Sequence, residues 1–256
     1  MTRDPDPVVR TEQQGAVCIV RLDRPPVNAI DVNLLRAADA VLQRLEEHSD
    51  AGAVVITGVG RSFSAGLDLK AVPLYTPAEQ RETILTLNRV VTRLYRLPVP
   101  TIAAVNGHAI AGGLVLALAC DYRIGPSARC ELGLTEARAG IPFPVGPLAV
   151  VQAELSPPVL RRLTLIARNI GPEQALHDGI LDELQPPERV LERALELAQE
   201  RATIPRLAYQ RVKHQFRAET LARMERCVDS NTDPLLDGWL SAETGGAATS
   251  VLRERS

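Results

Sequence analysis

Two short turns rich in small residues are the segments best suited to chemistry in this sequence. One lies in "FSAGLDL" at 63–69, and the other is the glycine pair of "NGHAIAGGLVLALACDYRI" at 106–124. Glycine costs about 1 kcal/mol relative to alanine inside a helix, so a pair at the start of one needs a reason. A helix that begins near Gly112 leaves its first backbone N–H groups unpaired at the positive end of its dipole. The two turns therefore predict backbone donors that bind one oxyanion.

Other chemical motifs fail on their spacing. Phe63 stands where GxGxxG needs its third glycine, no GxxxxGK[ST] occurs, and Ser64 would need glycine at 62 to form GxSxG. The histidines show no HExxH spacing. The cysteines form no CxxC pair, and they are predicted to be reduced thiols of a cytoplasmic protein: Cys18, Cys120, Cys130 and Cys227. These patterns predict neither a metal site nor a nucleotide cofactor.

The composition is that of a globular protein with one large domain, or with one domain and an appendage. The chain has 256 residues, of which 45% are hydrophobic and 23% charged, and its formal net charge is −2. No basic excess favours nucleic acid as a partner. The longest apolar run, near 109–120, is too short to cross a membrane, and the polar N-terminal segment lacks a signal-peptide core. We therefore expect a cytoplasmic protein.

Strands and helices alternate along the first half of the chain. Apolar segments at 16–22, 51–58 and 101–105 predict buried strands, and "DYRIG" predicts another. Between them, helices are predicted after Asp31, which suits an N-cap, and from about Pro77 to Arg96. From about residue 145 the pattern becomes helical. The order indicates an α/β fold with mostly parallel strands.

Five segments together resemble the enoyl-CoA hydratase/isomerase (crotonase) superfamily in order and spacing, over about residues 16–185. They are "LDRPPVNAID", "FSAGLDL", the glycine-pair segment, "LGLTEARAGIPFP" and "PEQALHDGILDEL". The resemblance implies a crotonase-like spiral of ββα units, an acyl-CoA thioester substrate and no cofactor beyond the coenzyme A of that substrate. It divides the chain into a spiral core at 1–200 and a helical trimerisation region at 201–256, with Trp239 and Leu240 as apolar anchors. The implied assembly is a homotrimer or homohexamer.

The resemblance also assigns roles to individual residues. The two oxyanion donors fall on the N–H groups of Ala65 and Gly112, and the base falls on Glu136, which ends the short segment "LGLTE" at 132–136. An apolar pocket would raise the pKa of this carboxyl, which suits a general base, whereas an ion pair with the nearby Arg138 would lower it. Asp68 and His108 are alternative proton-transfer groups, although both positions also suit side chains that hold a turn by hydrogen bonds. The family's second glutamate, three residues after the oxyanion glycine, is replaced by Val115. The implied substrate-binding residues are Val27, Ala29, Ser64, Gly66, Asp68, Leu69, Gly113, Val115 and Thr135, the last of which replaces a family proline.

A single remaining carboxylate favours one reaction over another. Hydration needs a base for water and an acid for the α-carbon, whereas moving a double bond needs one base that takes a proton and returns it elsewhere. We therefore predict an isomerase that stabilises a thioester enolate. The alternatives are a hydratase that uses Glu136 alone or with an unconventional partner, a protein that binds acyl-CoA without turnover, and a thioester hydrolase.

Overall fold

The strands form two sheets, and the smaller sheet carries the candidate site. A computed structural model describes residues 7–47, 50–236, 238–239, 244, 246–247 and 249–250. The larger sheet has the order β1-β2-β3-β5-β7-β9, and the smaller has the order β4-β6-β8. The strands are β1 Val9–Gln14, β2 Val17–Leu22, β3 Ala53–Gly58, β4 Ser62–Ser64, β5 Thr101–Ala104, β6 His108–Ile110, β7 Tyr122–Pro126, β8 Leu132–Gly133 and β9 Glu183–Gln185.

Every pairing in the two sheets is parallel except that of β1 with β2. The predicted strands at 16–22, 51–58, 101–105 and in "DYRIG" correspond to β2, β3, β5 and β7, and the α/β class is confirmed. The sequence analysis missed β1. That edge strand reads "VRTEQQ" and exposes all but its first residue, so it lacks the apolar signal of a buried strand.

Helices cover the sheets and supply most of the C-terminal half. They are α1 Val32–Glu47, α2 Pro77–Arg96, α3 Gly112–Leu118, α4 Glu136–Ala139, α5 Val145–Glu154, α6 Pro157–Thr164, α7 Pro172–His177, α8 Val190–Arg201 and α9 Arg206–Asp229. Asp31 caps α1, because its Oδ1 accepts the Leu34 N–H at 2.8 Å. A reciprocal capping box between Thr76 and Glu79 begins α2 at the predicted residue.

The C-terminal helices pack onto the sheets of the same chain. α8 places Val190, Ala194 and Leu197 in an apolar cluster with β2, β3, β5 and β7. α9 is held by the carboxylate of Asp121, which follows α3. That carboxylate accepts hydrogen bonds from Lys213 at 2.8 Å and from the Tyr209 hydroxyl at 2.9 Å, and it forms an ion pair with Arg217 at 2.9 Å.

Trp239 is buried in the described structure, whereas Leu240, the second predicted anchor, lies outside the described residues. In the described part of the chain, no helix is long and apolar enough to span a membrane.

Candidate active site

The small sheet brings the chemically important turns to one edge. Its strands are parallel, with Ser64 paired to Ala109 and Ile110 paired to Gly133. Their carboxyl ends therefore lie side by side, as in other parallel sheets that carry sites at this edge. The small-residue turn follows β4, α3 follows β6, and the segment that leads to Glu136 follows β8. Three parts of the chain that are far apart in sequence thus meet in one place.

The two glycines of α3 have different neighbours. A Cβ on Gly113 would lie 2.2 Å from the Ser64 carbonyl oxygen, so the strand before the small-residue turn excludes a side chain there. A Cβ on Gly112 would meet only the Cδ1 of Ile30, at 3.2 Å, and the more distant Cα of Gly66. Gly113 is therefore required by close packing, whereas Gly112 borders the cavity that contains Glu136.

The structure corrects the predicted oxyanion donor of the first turn. The N–H of Ala65 donates to the Val27 carbonyl at 3.0 Å and is not available to a ligand. Leu67 forms a parallel bridge with Ile30. In that bridge Ile30 bonds to the residues on either side of Leu67, so the N–H of Leu67 faces away from Ile30.

The amides of Leu67 and Gly112 form the pair of open donors. Among the described residues, none accepts a hydrogen bond from either N–H. Gly66, in the turn that contains Leu67, has a φ of +78°, and a Cβ built on it would lie 3.2 Å from the Gly112 nitrogen. Both Leu67 and Gly112 line the cavity that contains Glu136. The arrangement can bind one oxyanion at the start of α3.

Two connected cavities surround these amides. The smaller is apolar and its empty space, including the part open to solvent, is about 580 Å³; the larger is more polar and measures about 1890 Å³ in the same way. The two cavities adjoin, since five residues line both of them: Ala65, Leu67, Leu69, Ile110 and Thr135. A ligand that reaches the amides can therefore extend a polar part into one cavity and an apolar part into the other.

Glu136 is the only ionisable side chain among the described residues that line the smaller cavity. It is 8% exposed, and its Oε2 has no hydrogen-bond partner in the described structure. Burial raises the pKa of Glu136 to about 8, although a hydrogen bond from its own backbone N–H acts in the opposite direction. The alternative ion pair with Arg138 does not form, and the Arg138 side chain is exposed.

Asp68 is paired rather than poised as a base. Burial alone would raise its pKa, but the hydrogen bond from Arg24 and those from the N–H groups of Lys70 and Ala71 lower the pKa below its ordinary value. The Arg24 guanidinium lies 2.7 Å from Asp68 and 3.0 Å from Asp31. These ion pairs join the loop before α1 to the small-residue turn, so Asp68 holds the turn that presents Leu67.

His108 and Glu131 also have structural partners. The Nδ1 of His108 accepts the backbone N–H of Glu131 at 3.2 Å, and the carboxylate of Glu131 accepts a hydrogen bond from Asn169 at 2.8 Å. Both His108 and Glu131 line the larger cavity and are exposed. In the described residues, no group of three or more His, Cys, Asp or Glu side chains is arranged to hold a metal ion.

The remaining predicted contact residues divide between the cavities and the packed interior. Val27, Ala29 and Asp68 line the larger cavity, Val115 lines the smaller one, and Leu69 and Thr135 line both. Ser64, Gly66 and Gly113 line neither. Ser64 is fully buried and its hydroxyl donates to the Asn28 carbonyl at 2.7 Å, so its place is structural.

Leu67 and the far wall of the smaller cavity were not predicted from the sequence. Leu67 directly precedes Asp68 in "AGLDL", and residue size gives no signal that its N–H, rather than that of the smaller Ala65, is open. The far wall includes Leu87 of α2 and Phe143 and Pro147 after α4. These residues come from separate elements, and no local pattern signals their convergence.

In this two-sheet α/β fold, two unpaired amides and one buried carboxyl line the same apolar cavity. Such a site defines a class of protein that binds a carbonyl oxygen beside a proton-transfer group. The chain belongs to the enoyl-CoA hydratase/isomerase family of enzymes, whose family model matches residues 12–236.

Relatives with both reactions in their names are similar to this chain. The short-chain-enoyl-CoA hydratase of Clostridium acetobutylicum is 33% identical over 189 residues, which cover 73% of this chain and 72% of that protein. The human mitochondrial enoyl-CoA delta isomerase 1 is 30% identical over 222 residues, which cover 85% and 72%. The crystal structure of human mitochondrial delta3-delta2-enoyl-CoA isomerase superposes with a TM-score of 0.88 at 28% identity, over 97% of this chain and 98% of that one.

Proposed function

We propose that this protein isomerises the double bond of an enoyl-CoA thioester with Glu136 as its single base. One observation carries the proposal: Glu136 is the only ionisable side chain among the described residues that line the apolar cavity, and it shares that cavity with the open amides of Leu67 and Gly112. Val115 lies in the same wall and is fully buried, so α3 brings no second carboxylate into the cavity.

In the proposed reaction, the carboxylate of Glu136 removes a proton from C2 of a 3-enoyl thioester. The electron pair moves onto the thioester oxygen, and the dienolate is stabilised by the N–H groups of Leu67 and Gly112. The protonated Glu136 then returns the proton at C4, which leaves the double bond between C2 and C3. Loss of one donor of this kind costs about 10²–10³ in rate, so both amides are needed.

The larger cavity suits the polar part of the substrate. It adjoins the smaller cavity at Leu67, which lines both. Its lining includes the cationic Arg24 and Lys70 and the apolar Val27. We propose that the coenzyme A portion occupies this cavity and the acyl chain the smaller one. A second candidate function is hydration of a 2-enoyl thioester, which the similarity to the Clostridium hydratase supports.

The test is incubation of the purified protein with 3-enoyl-CoA and, separately, with 2-enoyl-CoA. We expect the 3-enoyl thioester to become 2-enoyl thioester without a change in mass. Addition of 18 mass units to the 2-enoyl thioester as the fast reaction would establish hydration instead. Release of free coenzyme A would indicate thioester hydrolysis. Binding of both thioesters without any product would replace catalysis by an acyl-CoA-binding function.

A further inference from the structure

The wall segment, which we define as residues 139–145, is fastened by the C-terminal part of the chain at three points. The Thr244 hydroxyl donates to the Gly140 carbonyl at 3.0 Å, and the indole N–H of Trp239 donates to the Pro142 carbonyl at 3.0 Å. The carboxylate of Asp233 accepts the N–H of Val145 at 2.9 Å. Five residues of the wall segment line the smaller cavity: Ala139, Ile141, Pro142, Phe143 and Pro144.

Trp239 also supports the same wall by packing. Its side chain is 2% exposed and belongs to an apolar cluster with Ala139 and Ile141, which line the cavity, and with Val72 and Ile84. Trp239 itself is not among the lining residues. It therefore lies one layer behind the cavity surface and limits how far Ile141 can move outward.

The cavity that this wall closes is narrow. Its empty space, including the part open to solvent, is about 580 Å³, compared with about 1890 Å³ for the larger cavity. Well-packed protein walls yield little without a change in their supporting layer, because interior packing is dense. The size of the acyl group that fits beside Glu136 therefore depends on whether the wall segment stays in place.

We infer that the contacts of Asp233, Trp239 and Thr244 with the wall segment select a short acyl chain, with Trp239 as the specificity-determining residue that acts through Ile141 and Pro142. The inference rests on the proposed acyl-CoA substrate and adds the chain-length class that the sequence left open. Trp239 is a positioning residue, since it touches the wall and not the ligand. Its role is to set binding selectivity. If Trp239 contributed only to folding, its substitution would not change this selectivity.

The test compares the dissociation constants of butanoyl-CoA and octanoyl-CoA, two saturated thioesters that cannot be isomerised, by titration calorimetry. For the unmodified protein we expect octanoyl-CoA to bind at least tenfold more weakly. Trp239→Ala removes the supporting ring and should bring the two constants to within about threefold. Trp239→Phe keeps a buried ring but removes the donor to Pro142, and Thr244→Val removes the donor to Gly140 at similar volume, so both should give smaller changes in the same direction.

Tyr209→Phe is the matched control, because it removes one hydrogen bond from the C-terminal third at a place remote from the wall, on Asp121. It should leave the ratio of the two constants unchanged. Should Trp239→Ala fail to fold, the other two wall variants carry the test. Equal binding of the two thioesters by the unmodified protein, or an unchanged ratio in the wall variants, overturns the inference and leaves the proposed function standing. Binding of neither thioester overturns the proposed function and the inference together.

Discussion

The carboxyl group of Glu136 leads to a pH dependence that can be measured. Its pKa of about 8 means that much of the carboxyl is protonated near neutral pH, whereas the proposed base must be ionised. We therefore expect kcat/KM for a 3-enoyl-CoA thioester to rise with pH, about tenfold per unit well below the pKa, and to level off above about pH 8. Initial rates between pH 6 and 9.5 would give this profile.

Glu136→Gln separates the chemistry from the packing. The variant should lose a factor of about 10² or more in turnover and in deuterium exchange at the substrate carbon, while the exposed Glu188→Gln should not. Unchanged exchange in Glu136→Gln would place the base elsewhere.

Because the pKa of Glu136 is raised in the folded protein, the unmodified protein loses stability as pH rises from about 4.5 to about 8. Glu136→Gln lacks this loss. Its free energy of unfolding, relative to that of the unmodified protein at the same pH, should therefore increase from pH 6 to pH 9.

Among the elements, α3 makes opposite predictions for its two glycines. Gly113→Ala would force a Cβ against the Ser64 carbonyl oxygen, and we expect it to lower the free energy of unfolding by about 1–3 kcal/mol. Gly112→Ala meets only the end of the flexible Ile30 side chain, so its stability should be unchanged or higher by up to about 1 kcal/mol. Its methyl group enters the ligand cavity beside an open amide, so turnover should fall at least tenfold. Denaturant unfolding and initial rates measure the two effects; equal stability of the two variants would contradict the packing argument.

The same elements show what sequence patterns could and could not predict. The helix at Pro77–Arg96 and the buried strands were predictable because their apolar periodicity and caps are local signals. The position of Glu136 near the two small-residue turns was predicted from the resemblance. The engaged amide of Ala65 and the open amide of Leu67 were not predictable from residue size, since they depend on which partner strand each N–H faces. The wall that contains Leu87 and Phe143, and its support by Trp239, depend on contacts between distant parts of the chain.

For the whole molecule, we expect assembly into a homotrimer or homohexamer. The first half of α9 presents large apolar side chains to solvent in a single chain, with Phe216 92% exposed, Leu207 57% and Val212 56%. Neighbouring exposed apolar groups of this kind favour a protein interface. Light scattering at micromolar concentration should give three or six times the mass of one chain, and Phe216→Ser should shift the distribution toward smaller species. A monomer before any substitution would contradict this expectation.

The charged contacts of α9 have a consequence for how this chain can be cut into gene fragments. The Asp121 side chain is 17% exposed, and three of its partners, Tyr209, Lys213 and Arg217, come from the last long helix. A shortened clone that ends near residue 200 would remove these three partners together. It would also uncover the surface on which α9 packs, including the place of the buried Leu221 and Met224. We therefore expect residues 1–200 and 201–256 to require expression as one piece.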